Sequence, residues 1–231
     1  MNRDAVELLR RCAMELGIEL AANELGQFGC FADELKKWNK KINLTAIRDD
    51  RDIAMKHFAD SLTLLGIINK TGSLLDLGSG GGFPAIPLKI MLPNLSVVSV
   101  DAVEKKILFQ RQAARLLHLH EFTALHARGE ELAKSYASHF DCVVSRAFSD
   151  LPYFVFLALP LLKNDGHIIA MKGREGRDEA VAAKGQLSDL GAKVIECIHI
   201  KLPVANDDRY LVVMGKIGAG SSGENIQFRE S

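Results

Sequence analysis

Leu74-Leu75-Asp76-Leu77-Gly78-Ser79-Gly80-Gly81-Gly82-Phe83-Pro84 carries an apolar run through an aspartate into three glycines spaced two apart, and this stretch decides the fold. An apolar segment that ends in such a loop reads as a strand entering a ligand-binding turn. Glycine reaches positive φ and lets a ligand approach the backbone, and a helix that opens there aims its free N–H groups at that ligand. Two spacings compete. The dinucleotide fingerprint, GxGxxG or GxGxxA, fails at Phe83 when counted from Gly78. Counted from Gly80 it is met by Ala85, but Pro84 and Pro87 then crowd the first helical turn. The pattern DxGxGxG, with Asp76, Gly78, Gly80 and Gly82, fits without adjustment.

Outward from this loop the chain divides in two. Upstream, Val6, Leu9, Ala13 and Leu16, then Leu25, Phe28, Ala32 and Leu35, recur at helical spacing, and no strand is expected before about residue 72. Downstream, strands are expected at 73–77, 95–101, 121–127, 140–145, 166–171, 193–200 and 209–216, with helical segments between the first six. The helix over 103–118 sets Val103, Ile107, Ala114 and Leu117 against Glu104, Lys105, Gln112 and Arg115, as a helix covering a sheet does. Strands alternating with helices imply an α/β, Rossmann-like fold whose sheet is mostly parallel. The last two strands are joined only by LPVANDD and should pair antiparallel, which completes a seven-stranded sheet. The organisation read here is a helical cap over 1–70, a sheet domain over 71–217 and a flexible tail over 218–231, where GAGSSGENIQFRES holds too little apolar surface to order itself.

Composition narrows the class. The 29 basic and 29 acidic residues cancel, so a generic polyanion-coating protein is excluded while a local basic patch is not. Cysteines 12, 30, 142 and 197 form no CxxC pair and have no histidine at ligand spacing, so neither a metal site nor a disulfide framework is expected. No apolar run reaches the roughly 18 residues of a membrane span, and MNRDAVELLRR is an amphipathic helix rather than a signal peptide. A cytoplasmic monomer follows as the expectation.

In doubly wound sheets ligands sit beyond the carboxyl ends of the strands, so the residues just past each strand are the candidates. Asp101 ends the second strand 23 positions after Gly78, near the offset of about 20 at which an acid meets a ribose; it is equally placed to cap the next helix. After the third strand, Gly129 and Glu130 flank the place of an adenine, or simply begin a helix with acids at its positive end. Arg146 follows the fourth strand, where a guanidinium beside apolar surface needs an anion or a ligand. Lys172 and Arg174 follow the fifth strand and suit an anionic polymer, or else are solvated. His57, Asp60 and Ser61 share one helical face near Asn39, Asn43 and Thr45. With no G-x-S-x-G elbow to present the serine, they read as packing between the cap and the sheet rather than as a hydrolase triad. The fourth strand lacks the Asn/Asp-Pro-Pro-aromatic run of exocyclic-amine methylation and any cysteine beside a proline, since Cys142 lies within the strand.

The loop DxGxGxG resembles the first motif of S-adenosylmethionine-dependent methyltransferases, and a wider set resembles the RsmG (GidB) family. That set is WNKKINLT at 38–45, HFADS at 57–61, LDLGSGGGFPAIPL, Asp101 with Glu104-Lys105-Lys106, Gly129-Glu130, SRAF at 145–148 and Met171-Lys172-Gly173. It covers 38–173 in order, and DDRYLVVM resembles the family's last hairpin. Gly81 stands where many members have proline. The resemblance implies a class I methyltransferase fold, S-adenosyl-L-methionine held by Asp76, Gly78, Gly80, Gly82, Phe83, Asp101, Gly129, Glu130 and Arg146, and methylation of guanine N7 in 16S rRNA or the small ribosomal subunit. Arg146 and Lys172 are then the candidate catalytic residues, facing RNA phosphate, base or cofactor carboxylate. Phe83 or Phe148 is a candidate to stack on a base.

Overall fold

β1 (Ser73–Leu77) lies inside one sheet with strand order β3-β2-β1-β4-β5-β7-β6-β8. The computed structural model describes residues 1–146, 148, 150–204, 207–218 and 226–230. The chain steps outward from β1 to β2 (Ser96–Asp101) and β3 (Phe122–His126), then returns across β1 to β4 (Phe140–Ser145) and β5 (Leu162–Lys172). All of these neighbours pair parallel. The order therefore reverses between β1 and β4, which opens a crevice at their carboxyl ends. β6 (Ala192–Lys201) and β7 (Asp208–Lys216) form the expected antiparallel hairpin, and β7 is antiparallel to β5.

Both sheet faces are covered, so β1 is apolar on both sides. Leu74 packs with Leu64, Leu88 and Ile169 on one face, while Leu75 and Leu77 point the other way among Phe154, Val155 and Leu161. The covering helices are α5 (Ala85–Met91) after β1, α6 (Glu104–Leu116) after β2, α7 (Ala133–Tyr136) after β3, α8 (Leu151–Ala158) after β4, and α9 (Gly176–Ala182) with α10 (Lys184–Asp189) after β5.

The N-terminal helices precede them. α1 (Arg3–Glu15) is capped by the Asn2 side chain, which accepts from the Ala5 N–H at 2.9 Å. α2 (Ala22–Ile42) ends where Asn43 turns left-handed at φ 48°. A helical run follows, made of α3 (Asp50–Asp52), a π-helix at Ile53–Ala59, α4 (Asp60–Leu62) and a 3-10 turn at Thr63–Gly66. Phe28, Phe31 and Leu35 of α2 are fully buried, each gaining about 1.5–3 kcal/mol from leaving water. They share one core with Phe58, Phe83, Ile86 and Phe109, so the helical cap packs directly on α5 and α6.

Two expectations change. The sheet has eight strands, because β8 (Gln227–Glu230) adds parallel to β6 from within the stretch expected to be a flexible tail. Edge pairing needs backbone hydrogen bonds rather than a buried apolar face, and Arg229 reaches Glu196 at 3.2 Å while Arg177 lies 4.4 Å over the Phe228 ring. The rest of that stretch, 219–225 and 231, lies outside the described residues.

Candidate active site

The three spaced glycines all need the backbone that only glycine adopts freely. Gly78, Gly80 and Gly82 sit at φ 73°, 58° and 83°, where another L-residue costs about 1–2 kcal/mol. A Cβ at Gly82 would stand 2.5 Å from Ile86 Cδ1, so the loop can turn this tightly onto α5 only without one. At Gly80 the same atom would project into open space, which leaves the backbone bare on the side a ligand approaches. The loop is held before anything binds. Gly78 and Ser79 donate their N–H groups to the Val100 carbonyl at 2.9 and 3.0 Å, and Phe83 donates to Ser79 O at 2.9 Å. Gln110, fully buried on α6, donates to Ser79 Oγ at 2.8 Å and to Gly80 O at 2.9 Å while its carbonyl accepts from Ser99 Oγ at 2.6 Å.

The two acids of the motif act on either side of this loop. Asp76 is fully buried; one oxygen accepts from the Ala85 N–H at 3.1 Å, and the other has no hydrogen-bond partner among the described residues. Burial pushes its carboxyl well above the usual carboxylate range. It ties the end of β1 to the start of α5 and so sets the span the glycines must cross. Asp101 accepts from Val103 N at 2.8 Å and from Gly80 N at 2.9 Å, with Lys106 Nζ at 3.4 Å. Asp101 is not the helix cap, since Val103 holds that position and no side chain caps α6; its carboxylate closes a turn onto Val103 N and touches the glycine loop.

Arg146 is the centre of a network built across the whole chain. Its Nη1 donates to Lys56 O at 3.1 Å and to Asp60 Oδ2 at 3.3 Å, and its Nη2 meets His57 Nδ1 at 3.2 Å. A guanidinium only donates, so His57 Nδ1 accepts, and Nε2 keeps the hydrogen and donates to Thr45 Oγ1 at 2.8 Å. Burial, with Arg146 beside it, lowers the His57 pKa to about 3, so the ring is neutral at physiological pH. Asp60, 3% exposed, also accepts from Arg209 Nε at 2.9 Å. Two guanidiniums thus share one buried carboxylate, and Arg209 Nη2 also lies 3.9 Å from a second acid, the exposed Asp207. The Phe83 ring stacks on His57 with centroids 4.2 Å apart and lies 5.3 Å below the Arg146 guanidinium. Phe83 is 3% exposed within the aromatic core, so its ring is a wall rather than a free stacking platform. Lys56 and His57 belong to the π-helix, a rare winding that recurs at functional sites.

The loop after β3 rests on α8. A Cβ at Gly129 would meet Leu157 Cδ1 at 3.0 Å, and Glu130 accepts from the Tyr153 hydroxyl at 2.6 Å, which lowers its pKa. Lys172 is buried, with its ammonium on Phe148 O at 3.0 Å and Glu179 at 2.6 Å. Both of these partners lie within the chain, and they tie the end of β5 to Phe148 and to α9. The half-buried Phe148 ring stacks on Phe154 with centroids 5.4 Å apart. Ser61 turns inward to donate to His57 O at 2.7 Å, as packing requires. Gln110 and Tyr153 are site-building residues that sequence patterns did not single out, whereas Thr45 was placed beside His57. For Gln110 a signal existed: it lies three residues after Ile107 and four before Ala114, on the buried stripe where a polar side chain needs partners.

A glycine cradle at the switch point of a doubly wound sheet, with an acid on the next strand, defines a Rossmann-like methyltransferase. Solved structures agree in fold: the SAM-dependent methyltransferase from Aquifex aeolicus superposes with TM-score 0.58 at 14% identity, covering 79% of this chain and 97% of that one. A predicted O-methyltransferase from Agrobacterium tumefaciens gives 0.53 at 19% identity, covering 71% and 81%. The family described as rRNA small subunit methyltransferase G (GidB) matches residues 24–208, and this chain belongs to it. The protein named ribosomal RNA small subunit methyltransferase G in Geotalea uraniireducens is 63% identical over 217 residues, 94% of this chain and 99% of the relative. Its namesake in Deinococcus radiodurans is 41% identical over 215 residues, 91% and 84%. The chain is a methyltransferase of small-subunit ribosomal RNA. Among the described residues no helix is long and apolar enough to cross a membrane.

Proposed function

We propose that the chain methylates N7 of a guanine in 16S rRNA, with the donor held by the 78–83 loop, Asp101, Gly129, Glu130 and Arg146. The observation that carries this reading is the run of three positive-φ glycines facing Asp101 at the point where strand order reverses. The bare backbone at Gly80 fits a nucleoside donor, and the Arg146 guanidinium, which shares Asp60 with Arg209, fits an anionic group such as the donor's carboxylate or an RNA phosphate. When bound, S-adenosyl-L-methionine supplies an electrophilic methyl group.

Guanine N7 carries an in-plane lone pair, so the chain has no proton to remove before methylation. The side chains around Arg146 agree with that. His57 is neutral but already bonded at both nitrogens, and its low pKa makes it a poor base. Cys142 is buried with its thiol pushed up to about 12, and Cys197 to about 11, so neither supplies the thiolate that attack on a cytosine ring needs. What remains for the residues is placement, a contribution that reaches about 7–11 kcal/mol when the reacting groups are held in line. Arg146 faces the ligands; Asp76, Gln110, His57, Asp60 and Lys172 act by positioning. The enzyme acts as a cytoplasmic monomer, which sedimentation at working concentration checks. Incubation with methyl-labelled donor and deproteinised small-subunit RNA tests the whole reading: label enters the RNA, whereas an unlabelled RNA alongside assembled subunits that also stay unlabelled would overturn it.

A further inference from the structure

The end of α2 and the loop that doubles back along it enclose a cleft of about 650 Å³, lined by Asp33, Lys36, Lys37, Asn39, Lys40, Asn43 and Arg48. Its charge is uneven. Lys36 is held by Asp33 at 3.0 Å and Asp50 at 2.6 Å, and Lys37 lies 3.4 Å from Glu34. Lys40, Lys41 and Arg48 are exposed and make no ion pair among the described residues. In a chain whose charges cancel, two unpaired cations on the cleft wall, Lys40 and Arg48, are a local excess. Cations in a last helical turn complement the helix dipole, which accounts for Lys40 and Lys41. It does not account for Arg48, which lies beyond the helix in the returning loop.

That loop is fastened to the active site. Asn39 donates to Thr45 O at 2.8 Å and accepts from Thr45 N at 3.0 Å, and Ile47 N donates to Thr45 Oγ1 at 3.1 Å. Thr45 Oγ1 is the partner of His57, and His57 is the partner of Arg146. The cleft wall is therefore joined to Arg146 through two side chains, Thr45 and His57. A polynucleotide whose base reaches the strand ends has flanking phosphates to place alongside, and an open cationic ledge attracts phosphates by charge without reading sequence.

We propose that this cleft, through Lys40 and Arg48, is a docking surface for the phosphate backbone of the acceptor RNA beside the target base. The proposal rests on the methyltransferase reading above. Its test is the double charge reversal Lys40→Glu/Arg48→Glu in the full chain, with Lys40→Ala/Arg48→Ala as a milder partner. Methyl transfer is followed on deproteinised small-subunit RNA and on assembled small subunits at several salt concentrations. The KM for RNA rises about tenfold or more while kcat and donor affinity stay within about twofold, and the salt slope of RNA binding falls by about 1.4–1.8 for two lost phosphate contacts. Unchanged KM and salt slope in variants that fold and bind donor normally would overturn the surface. An effect seen only on assembled subunits would also overturn it, because the ledge would then meet ribosomal protein. If the wild-type chain methylates neither substrate, the methyltransferase reading itself falls, which is a different result from an active wild type with unaffected variants.

Discussion

Two charged clusters stand at opposite ends of the same strands, and they differ in depth rather than in residue type. At the amino ends of β1 and β4, Asp141 accepts from Ser73 N at 2.8 Å, Ser73 Oγ at 2.7 Å and Lys163 Nζ at 2.9 Å, with Asp141 36% and Lys163 46% exposed. At the carboxyl end, the side chains of Asp60 and Arg146 are 5% and 27% exposed, and a second arginine and a neutral histidine complete the set. The first cluster is balanced by its own partners and by water, and it pins two strands together. The second gathers two arginines on one deeply buried carboxylate at the switch point, where a ligand belongs. Charge near a strand end is thus a weak marker of function, whereas charge held out of water at the switch point is a stronger one.

The largest effect expected on this contrast comes from Arg146→Ala. Asp60 keeps Arg209, so the chain stays folded, and methyl transfer falls by about 100-fold or more, as when an electrostatic donor is removed from a reacting centre. Single-turnover assays beside a thermal melt check this, and near-normal activity would remove Arg146 from the mechanism. Next is Gly80→Val. Strain of about 1–2 kcal/mol, together with side-chain atoms in the open space, weakens donor binding by about tenfold or more in calorimetric titration.

A smaller, pH-dependent effect belongs to His57. The folded chain protonates this ring only near pH 3, whereas the unfolded chain does so near 6.5, so stability is lost as pH falls from about 6.5 toward 3. His57→Gln flattens that part of the curve and, by presenting an oxygen to Arg146, keeps more activity than His57→Ala. Equal activity in the two variants would dissolve the positioning role. The least effect is expected at the opposite end. Asp141→Asn leaves activity unchanged and costs about 1 kcal/mol or less, because its pairing is screened by water. Its folded pKa of about 2 lies below the usual 3.8, so the contribution is present above 3.8 and is lost as pH falls toward 2. Denaturant melts at pH 7 and pH 3 measure it.

How much of this was readable in the sequence follows from the range of each interaction. The glycine loop, the strand spans and the antiparallel hairpin are local patterns, and they appear where the spacing puts them. The partners of Arg146 do not, because Asp60 lies 86 residues away and His57 89. Helical spacing put His57, Asp60 and Ser61 on one face, but the π-helix separates their tasks: Ser61 turns in to the backbone while the other two meet the arginine. β8 was unreadable for another reason, since it joins by backbone pairing at a sheet edge and carries no buried stripe. Lys172 was readable as a strand-end cation, but its burial against Glu179 was not.

The central claim is a donor site that delivers a methyl group to guanine N7 without a base or a covalent intermediate. The most direct measurement is nucleoside analysis of small-subunit RNA methylated by the purified chain with isotopically labelled S-adenosyl-L-methionine. The account predicts that the label is recovered as 7-methylguanosine. Label on an exocyclic amine or on C5 of cytosine would contradict it.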